Sequence, residues 1–374
     1  MTAQIALPGR AGVLSIPDPG WEPSYPPPVG RSVYAAAHVA AFPDGRIDWD
    51  ATMRFREHLW AHGFGVAEAM DTAQRGTGLT AGQARELIGR SAARAAELGT
   101  VIASGAGTDQ LPGGAHPLAA IIRAYADQLE FVQDQGSDVI VMASRALAAS
   151  ARSADDYLEV YGQLLKLADR PVLLHWLGEA FDPALRGYWG GEDFGSAAET
   201  VIELIERSGG QVGGIKLSVL DADSEVALRR RLPRGIRMYT GDDFHYAELI
   251  RGDAEGHSDA LLGAFAAVTA PAAAALHALD AGDLAGYDRA IGPTVALSRL
   301  IFTTPTYDYK VGVAFLAWLN GLQPHFAMLG GLQERRTAAH LTGVFELAAA
   351  CGALLDPHLA VARMSEYLAG TAMA

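Results

Sequence analysis

The sequence predicts an α/β fold: a (β/α)8 TIM barrel that carries a C-terminal helical extension. Three observations point there. From residue 33 onward eight short runs rich in Val, Ile, Ala and Gly recur, and they are almost wholly apolar rather than alternating. Parallel strands covered on both faces read this way. Longer amphipathic segments separate the runs, and the strand signal stops after residue 270.

The runs are Val33–Val39, Gly63–Met70, Thr100–Ser104, Asp138–Ala143, Pro171–Trp176, Gly213–Ser218, Gly235–Tyr239 and Ala260–Phe265. Between them Asp50–His62, Thr80–Leu98, Pro117–Gln135, Ser153–Ala168, Ser196–Ser208 and Ser224–Leu232 read as helices, with Thr80, Ser153 and Ser224 as expected N-caps. An open doubly wound sheet fits less well, because no strand is followed by a Gly-rich dinucleotide fingerprint. Residues 1–30 are rich in Pro and Gly and hold no period of 2 or 3.6, so they are expected as an extended arm, wrapped on this barrel or on a neighbouring subunit. Residues 31–282 form the expected barrel and 283–374 the helical extension. Segments 271–302, 309–320, 333–350 and 356–369 each read as helix.

Composition narrows the partners. The formal net charge is −14, and phosphate backbones reward clustered Lys and Arg, so nucleic acid is not expected. The basic run Arg229–Arg231 with Arg234 and Arg237 reads as a solvated helix face. No stretch reaches the roughly 18 apolar residues of a membrane span, and no basic start precedes an apolar block, so membrane and secretion are not expected either. Cys351 is the single cysteine, which rules out an intrachain disulfide or a multi-cysteine metal site. The cytoplasm is the expected location.

Reactive groups in such barrels project from the C-terminal ends of the strands. Those ends offer His38, Glu68, Asp71, Thr72, Ser104, Gly105, Gly107, His175, Trp176, Glu179, Lys216, Thr240, Gly241, Asp242, Asp243 and His245. Lys216 stands out. It lies within Gly213-Gly214-Ile215-Lys216-Leu217, where an ammonium is costly unless paired or neutralised. Burial lowers an amine's pKa, and the neutral amine is the form that attacks a carbonyl. The alternative is a structural lysine reaching toward a carboxylate such as Asp242. Tyr307 and Tyr309 precede a helix of the extension and read as packing or interface residues.

Several motifs in order resemble the dihydrodipicolinate synthase/N-acetylneuraminate lyase superfamily of Schiff-base aldolases, over about residues 35 to 320. They are Ala41-Phe42-Pro43-Asp44-Gly45-Arg46-Ile47-Asp48, Gly136-Ser137-Asp138, Gly214-Ile215-Lys216 and Thr240-Gly241-Asp242-Asp243. The resemblance implies a lyase or condensation enzyme acting through a lysine imine, a homo-oligomer (dimer or tetramer), a small carbonyl substrate, and neither metal nor organic cofactor. Two departures matter. The family's Gly-Thr-Thr-Gly-Glu carboxylate loop is matched by Asp71-Thr72-Ala73-Gln74-Arg75, with Arg75 a replacement donor and Asp71 opposed to an anion. The family's Tyr-Asn-Val-Pro is matched by His175-Trp176-Leu177-Gly178, so His175 takes the place of the proton-relaying tyrosine.

The expected site therefore has Lys216 and His175 as catalytic groups. Thr72, Asp71, Arg75, Ser104, Trp176, Thr240, Gly241 and Asp242 would contact a hydroxylated 2-oxo acid or keto-sugar derivative. Two other readings stand beside it. One is a metal-dependent barrel hydrolase or isomerase using His38, Glu68, His175, Glu179, Asp242 and His245. The other is a barrel that binds a small molecule without turning it over.

Overall fold

The computed structural model describes residues 2–191 and 193–372. A closed barrel of eight parallel strands forms the centre. In chain order, after the hairpin strands β1 (Ala3–Ala6) and β2 (Val13–Ile16), the barrel strands are β3 (Val33–Ala36), β4 (Gly65–Glu68), β5 (Ile102–Ala106), β6 (Asp138–Val141), β7 (Val172–Leu177), β8 (Val212–Ser218), β9 (Arg237–Thr240) and β10 (Asp259–Leu262). Each pairs with its neighbours in sequence, and β10 closes on β3. Each of the eight expected runs overlaps one of these strands. The last is shorter than expected, since Ala264–Ala267 is helical.

Side chains alternate between two environments, as a strand of period two requires. Tyr34, Ala36, Ala67, Met70, Ala103, Ile140, Leu173, Tyr239 and Leu261 fill the barrel. Their neighbours, such as Ile215, Leu217 and Leu174, pack outward under the helices. Runs apolar at every position follow from burial on both sides.

Helix ends follow local chemistry. Thr80 forms a capping box with Gln83 ahead of the helix Ala81–Leu98. Ser224 is not the cap of its helix. Asp221 is, accepting from Asp223 N and Ser224 N, and the helix starts at Ala222. Ser153 occupies a cap position without a capping hydrogen bond. Asp193 caps the helix that begins at Phe194, ahead of the expected Ser196. An ionised carboxylate in these positions meets the helix dipole as well as an orphan N–H, which a hydroxyl does only weakly.

The stretch expected as one helix over 271–302 is two, Thr269–Asp280 and Leu284–Ile301. Gly282, at φ +76°, turns the chain, and the Asp283 carboxylate accepts from Gly286 N to start the second. Lys310–Leu319, Ala338–Ala350 and Pro357–Ala372 complete the extension.

The N-terminal segment contains more order than expected: β1 and β2 pair antiparallel. Four-residue strands are too short for their alternation to register above the surrounding Pro and Gly. Ile5, Leu7 and Ile16 join the main core of their own chain. Trp21 Nε1 donates to Gly352 O at 2.7 Å, and Val29 N and Gly30 N donate to the Asp280 carboxylate at 2.7 and 2.8 Å. Gly63 lets this segment pass, because a Cβ there would stand 2.4 Å from Pro26 O. Among the described residues no helix is long and apolar enough to cross a membrane.

Candidate active site at the barrel mouth

The facing of Lys216 follows from its strand. A Cβ on Gly214 would meet Tyr239 Cε2 at 2.8 Å and Leu173 Cδ2 at 3.2 Å, both inside the barrel. Two residues on, Lys216 faces the same way. It is 6% exposed. Burial pushes its amine below the ordinary lysine value, against the pull of Asp71 and Asp243. Gly241 closes in behind it, since a Cβ there would lie 2.7 Å from Lys216 Cε and 2.1 Å from Ser218 Oγ. That glycine is set by space, not by its backbone angle.

His175 pairs in register with Lys216 across β7 and β8. It is fully buried, with Nε2 3.4 Å from Ser218 Oγ and Nδ1 lacking a partner. Burial, aided by the charge of Lys216, holds it well below the ordinary histidine range. An imidazole held neutral at neutral pH keeps one ring nitrogen as an acceptor.

The loop after β4 brings Asp71 and Thr72 to the same place. Ala69 (φ 52°) and Gln74 (φ 63°) adopt left-handed backbone on either side, at a cost of about 1 kcal/mol each. Glu68 Oε1 accepts from Ala69 N at 2.8 Å, and Gln74 Nε2 donates to Leu329 O at 2.8 Å, so the loop is held at both ends. Tyr309 comes over the mouth from the C-terminal extension. Its hydroxyl donates to Asp71 Oδ2 at 2.7 Å and lies 2.6 Å from Thr72 Oγ1, while its ring stacks on Phe302 at 4.3 Å. Burial raises the Asp71 carboxyl, but Lys310, Lys216, His175 and the Tyr309 hydroxyl together bring it below its ordinary value. Burial drives Asp243 the other way, well above the carboxylate range, with only Ala264 N (2.9 Å) and Lys216 opposing. Lys216 and Asp243 therefore lean toward an uncharged amine beside a protonated acid.

A cleft of about 310 Å³ opens beside these groups, lined by Asp71, Arg75, Thr108, Asp109, Arg145 and Asp182 among others. Asp71 is part of that lining, whereas Lys216 and His175 are not.

The comparisons with known proteins bear on this arrangement. A family model described as Protein of unknown function (DUF993) matches residues 12–373. The chain belongs to that family. No curated protein matches it. Among solved structures it is similar to the dihydrodipicolinate synthase from Aquifex aeolicus (15% identity, TM-score 0.67, covering 87% of this chain and 99% of that one). It is similar too to those from Oceanobacillus iheyensis (15%, 0.66, 86% and 96%) and Bacillus anthracis (16%, 0.64, 84% and 97%). At such identities the likeness establishes the fold, the one the motifs led us to expect.

Several DUF993 residues expected at the site stand elsewhere. Ser104, Trp176 and Thr240 each follow an inward residue on their strand and so face the helices. Ser104 Oγ is 2.8 Å from Ser137 Oγ. Trp176 stacks on Phe194 at 4.9 Å. Thr240 Oγ1 accepts from Asp242 N at 3.2 Å. Asp242 caps its own turn, accepting from Phe244 N, His245 N and His245 Nδ1 at 2.8 to 3.0 Å. Arg75 cannot replace lost carboxylate donors, because its five N–H groups are already matched. They go to Asp109 Oδ1 (3.0 and 2.8 Å), Ala69 O (3.2 Å), Gly105 O (2.6 Å) and Gln128 Oε1.

The remaining candidates are held by structural partners. His38 Nε2 is 2.7 Å from Gln323 Oε1. Glu68 is held by Arg56 and Ser91. Glu179 pairs with Arg186 on the surface. Among the described residues no three His, Cys, Asp or Glu side chains gather as a metal ligand group. The basic run is ion-paired, Arg229 and Arg230 to Asp253 and Arg231 to Glu199. Tyr307 is exposed, whereas Tyr309, read as a packing or interface residue, stands at the mouth together with Lys310 and Asp243. Their signal was faint: a Tyr-Lys pair opening an otherwise apolar helix.

Proposed function

We propose that this protein is a class I lyase, an aldolase or dehydratase, in which Lys216 forms an imine with a small hydroxylated carbonyl substrate. The observation that carries the reading is an amine inside the barrel, buried and driven toward its neutral form. The shared fold and the Gly214-Ile215-Lys216 motif support it.

Lys216 Nζ adds to the carbonyl carbon, the carbonyl oxygen leaves as water, and a C=N⁺ bond remains. Asp243, holding its proton, suits the donor's role in that loss of water. In the cleavage direction, His175 Nδ1 takes the proton of a substrate hydroxyl. The C–C bond breaks, its electron pair moves to the iminium nitrogen, and an enamine and a free carbonyl fragment result. Protonation and hydrolysis of the enamine restore the amine. Tyr309, with Thr72, positions Asp71 at the entrance. On the same resemblance we expect a homo-oligomer, dimer or tetramer, working in the cytoplasm without metal or organic cofactor.

Borohydride reduction in the presence of candidate carbonyl compounds, followed by peptide mapping, tests the reading. A secondary amine at Lys216 is the expected product. An unmodified Lys216 in a mixture that is turning substrate over would remove it.

A further inference from the structure

We propose, resting on the imine reading, that Met142 and Leu177 form an apolar gate between the cleft and Lys216, and that this gate selects substrates by girth. Lys216 is 6% exposed and His175 is fully buried, and neither lines the cleft. A carbonyl carbon must nevertheless reach Nζ. Strand geometry shows what stands between.

Side chains on one face of a strand recur at every second residue, roughly 6.6 Å apart. On β7, Leu173 faces the barrel interior, so His175 and Leu177 follow it on the same face. Leu177 pairs in register with Ser218, just as His175 pairs with Lys216 one layer below. Leu177 is also part of the cleft lining. Its side chain therefore has the cleft on one side and the His175–Lys216 layer on the other.

Met142 takes the neighbouring place from β6. The register that sets Ile140 beside Leu173 and Val141 beside Leu174 brings Met142, one residue on, beside His175. Met142 packs against the inner cluster of the barrel and lines the cleft as well. Its backbone is held: N donates to Ala106 O at 2.9 Å, and O accepts from the Tyr125 hydroxyl. Its thioether lies over Gly105, where a Cβ would stand 2.5 Å from Sδ. Glycine at 105 thus leaves room for the closed position. An unbranched methionine turns about its side-chain bonds with ease, so the path opens without moving the strand.

Asp71, Thr108, Asp109 and Arg145 give the cleft a polar rim above this apolar floor. The closed floor keeps bulk water from the amine and from the imine formed on it. A slender carbonyl compound passes once Met142 has turned. A wide one also meets Leu177.

Acetaldehyde and benzaldehyde test this, since they carry the same reacting group on bodies of different width. The full-length protein is treated with each plus sodium cyanoborohydride. Alkylation at Lys216 and at the exposed Lys166 is timed by peptide mass spectrometry. Lys166 reports the intrinsic ratio of the two aldehydes. At Lys216 the preference for acetaldehyde should exceed that ratio by about 10-fold or more. Met142→Ala should lower the preference by about 5-fold or more, toward the Lys166 ratio. Leu177→Ala should act in the same direction, and serves if the Met142 variant does not fold. Taking the ratio at one lysine cancels any effect of a variant on the amine itself. Equal ratios at Lys216 and Lys166 in the wild type, or a ratio at Lys216 that neither variant lowers, overturns the gate while the imine survives. No alkylation of Lys216 by acetaldehyde, in the wild type or in either folded variant, overturns the imine reading and the gate with it.

Discussion

His175 and Lys216 stand directly opposite each other on β7 and β8, both facing into the barrel. Burial drives protons off both groups. On the proposed mechanism these are the nucleophile and the proton acceptor, each favoured in its uncharged form. The first two predictions follow from this pair.

Lys216→Met should abolish borohydride labelling at this position and also stabilise the fold. An unfolded lysine is charged below its ordinary 10.5, whereas the buried one is driven toward neutrality, so folding carries a cost through that range. That cost shrinks as pH rises toward the unfolded value. Urea unfolding at pH 7 should show the variant ahead by roughly 1 kcal/mol or more, with the gap narrowing by pH 10. A less stable Met variant at pH 7 contradicts a costly amine.

His175→Gln should keep the trapped imine yet lose about 10²- to 10⁴-fold in turnover, the usual weight of a positioned proton acceptor. The wild-type rate profile should show no inflection near 6.5, because the imidazole is held neutral well below that pH. Its stability effect has a definite sign. An unfolded histidine gains a proton below 6.5 while the buried one does not, so stability falls as pH drops through that region. An inflection near 6.5 that vanishes in the variant would place the titrating group at His175 after all.

Tyr309→Phe removes one hydroxyl and leaves the ring stacked on Phe302. The lost bonds to Asp71 and Thr72 should cost about 1 kcal/mol in stability. Turnover should fall by roughly 10-fold or more, mostly in kcat, since Asp71 loses its alignment rather than the substrate its pocket. Tyr309→Ala should unfold far more easily, by about 3–5 kcal/mol, since a buried aromatic ring leaves a cavity. Equal stabilities of the Phe and Ala variants would contradict the stacked geometry.

Glu225 supplies a test away from the chemistry. It is buried behind β9, with Oε1 accepting from Ser258 Oγ at 2.7 Å and Oε2 unpartnered. Burial pushes its carboxyl from the ordinary 4.5 up to about 8. A raised carboxyl favours the folded state only while protonated, so wild-type stability should decline from about pH 4.5 to 8 relative to Glu225→Gln. At ~1.36 kcal/mol per pH unit that interval sets a ceiling of roughly 5 kcal/mol. Denaturant curves at pH 5 and 8 measure it, and parallel curves would refute it.

Ser104, Trp176 and Thr240 stand away from Lys216 for one shared reason. Strand-end position alone places them beside Lys216, but each sits one step from an inward residue and so faces the helices. Parity is hard to see when both faces are apolar. The meeting of Leu173, Gly214 and Tyr239 inside the barrel fixes it. Arg75 illustrates a different limit. Its type and place suited an anion, but its four partners come from β5, the loops around it and the helix Leu118–Asp134, and no spacing along the chain reveals them.

By itself the sequence determined the barrel, its eight strands and the lysine within one of them, because local apolar runs and glycine placement are properties of neighbouring residues. The tertiary structure decided the rest: which charges are satisfied, that His175 stays neutral, and that Tyr309 lies against Thr72 across 237 positions. Burial and ion pairing depend on what lies across space. The chain must close into the barrel, and its C-terminal helices must fold over the mouth, before those quantities take any value.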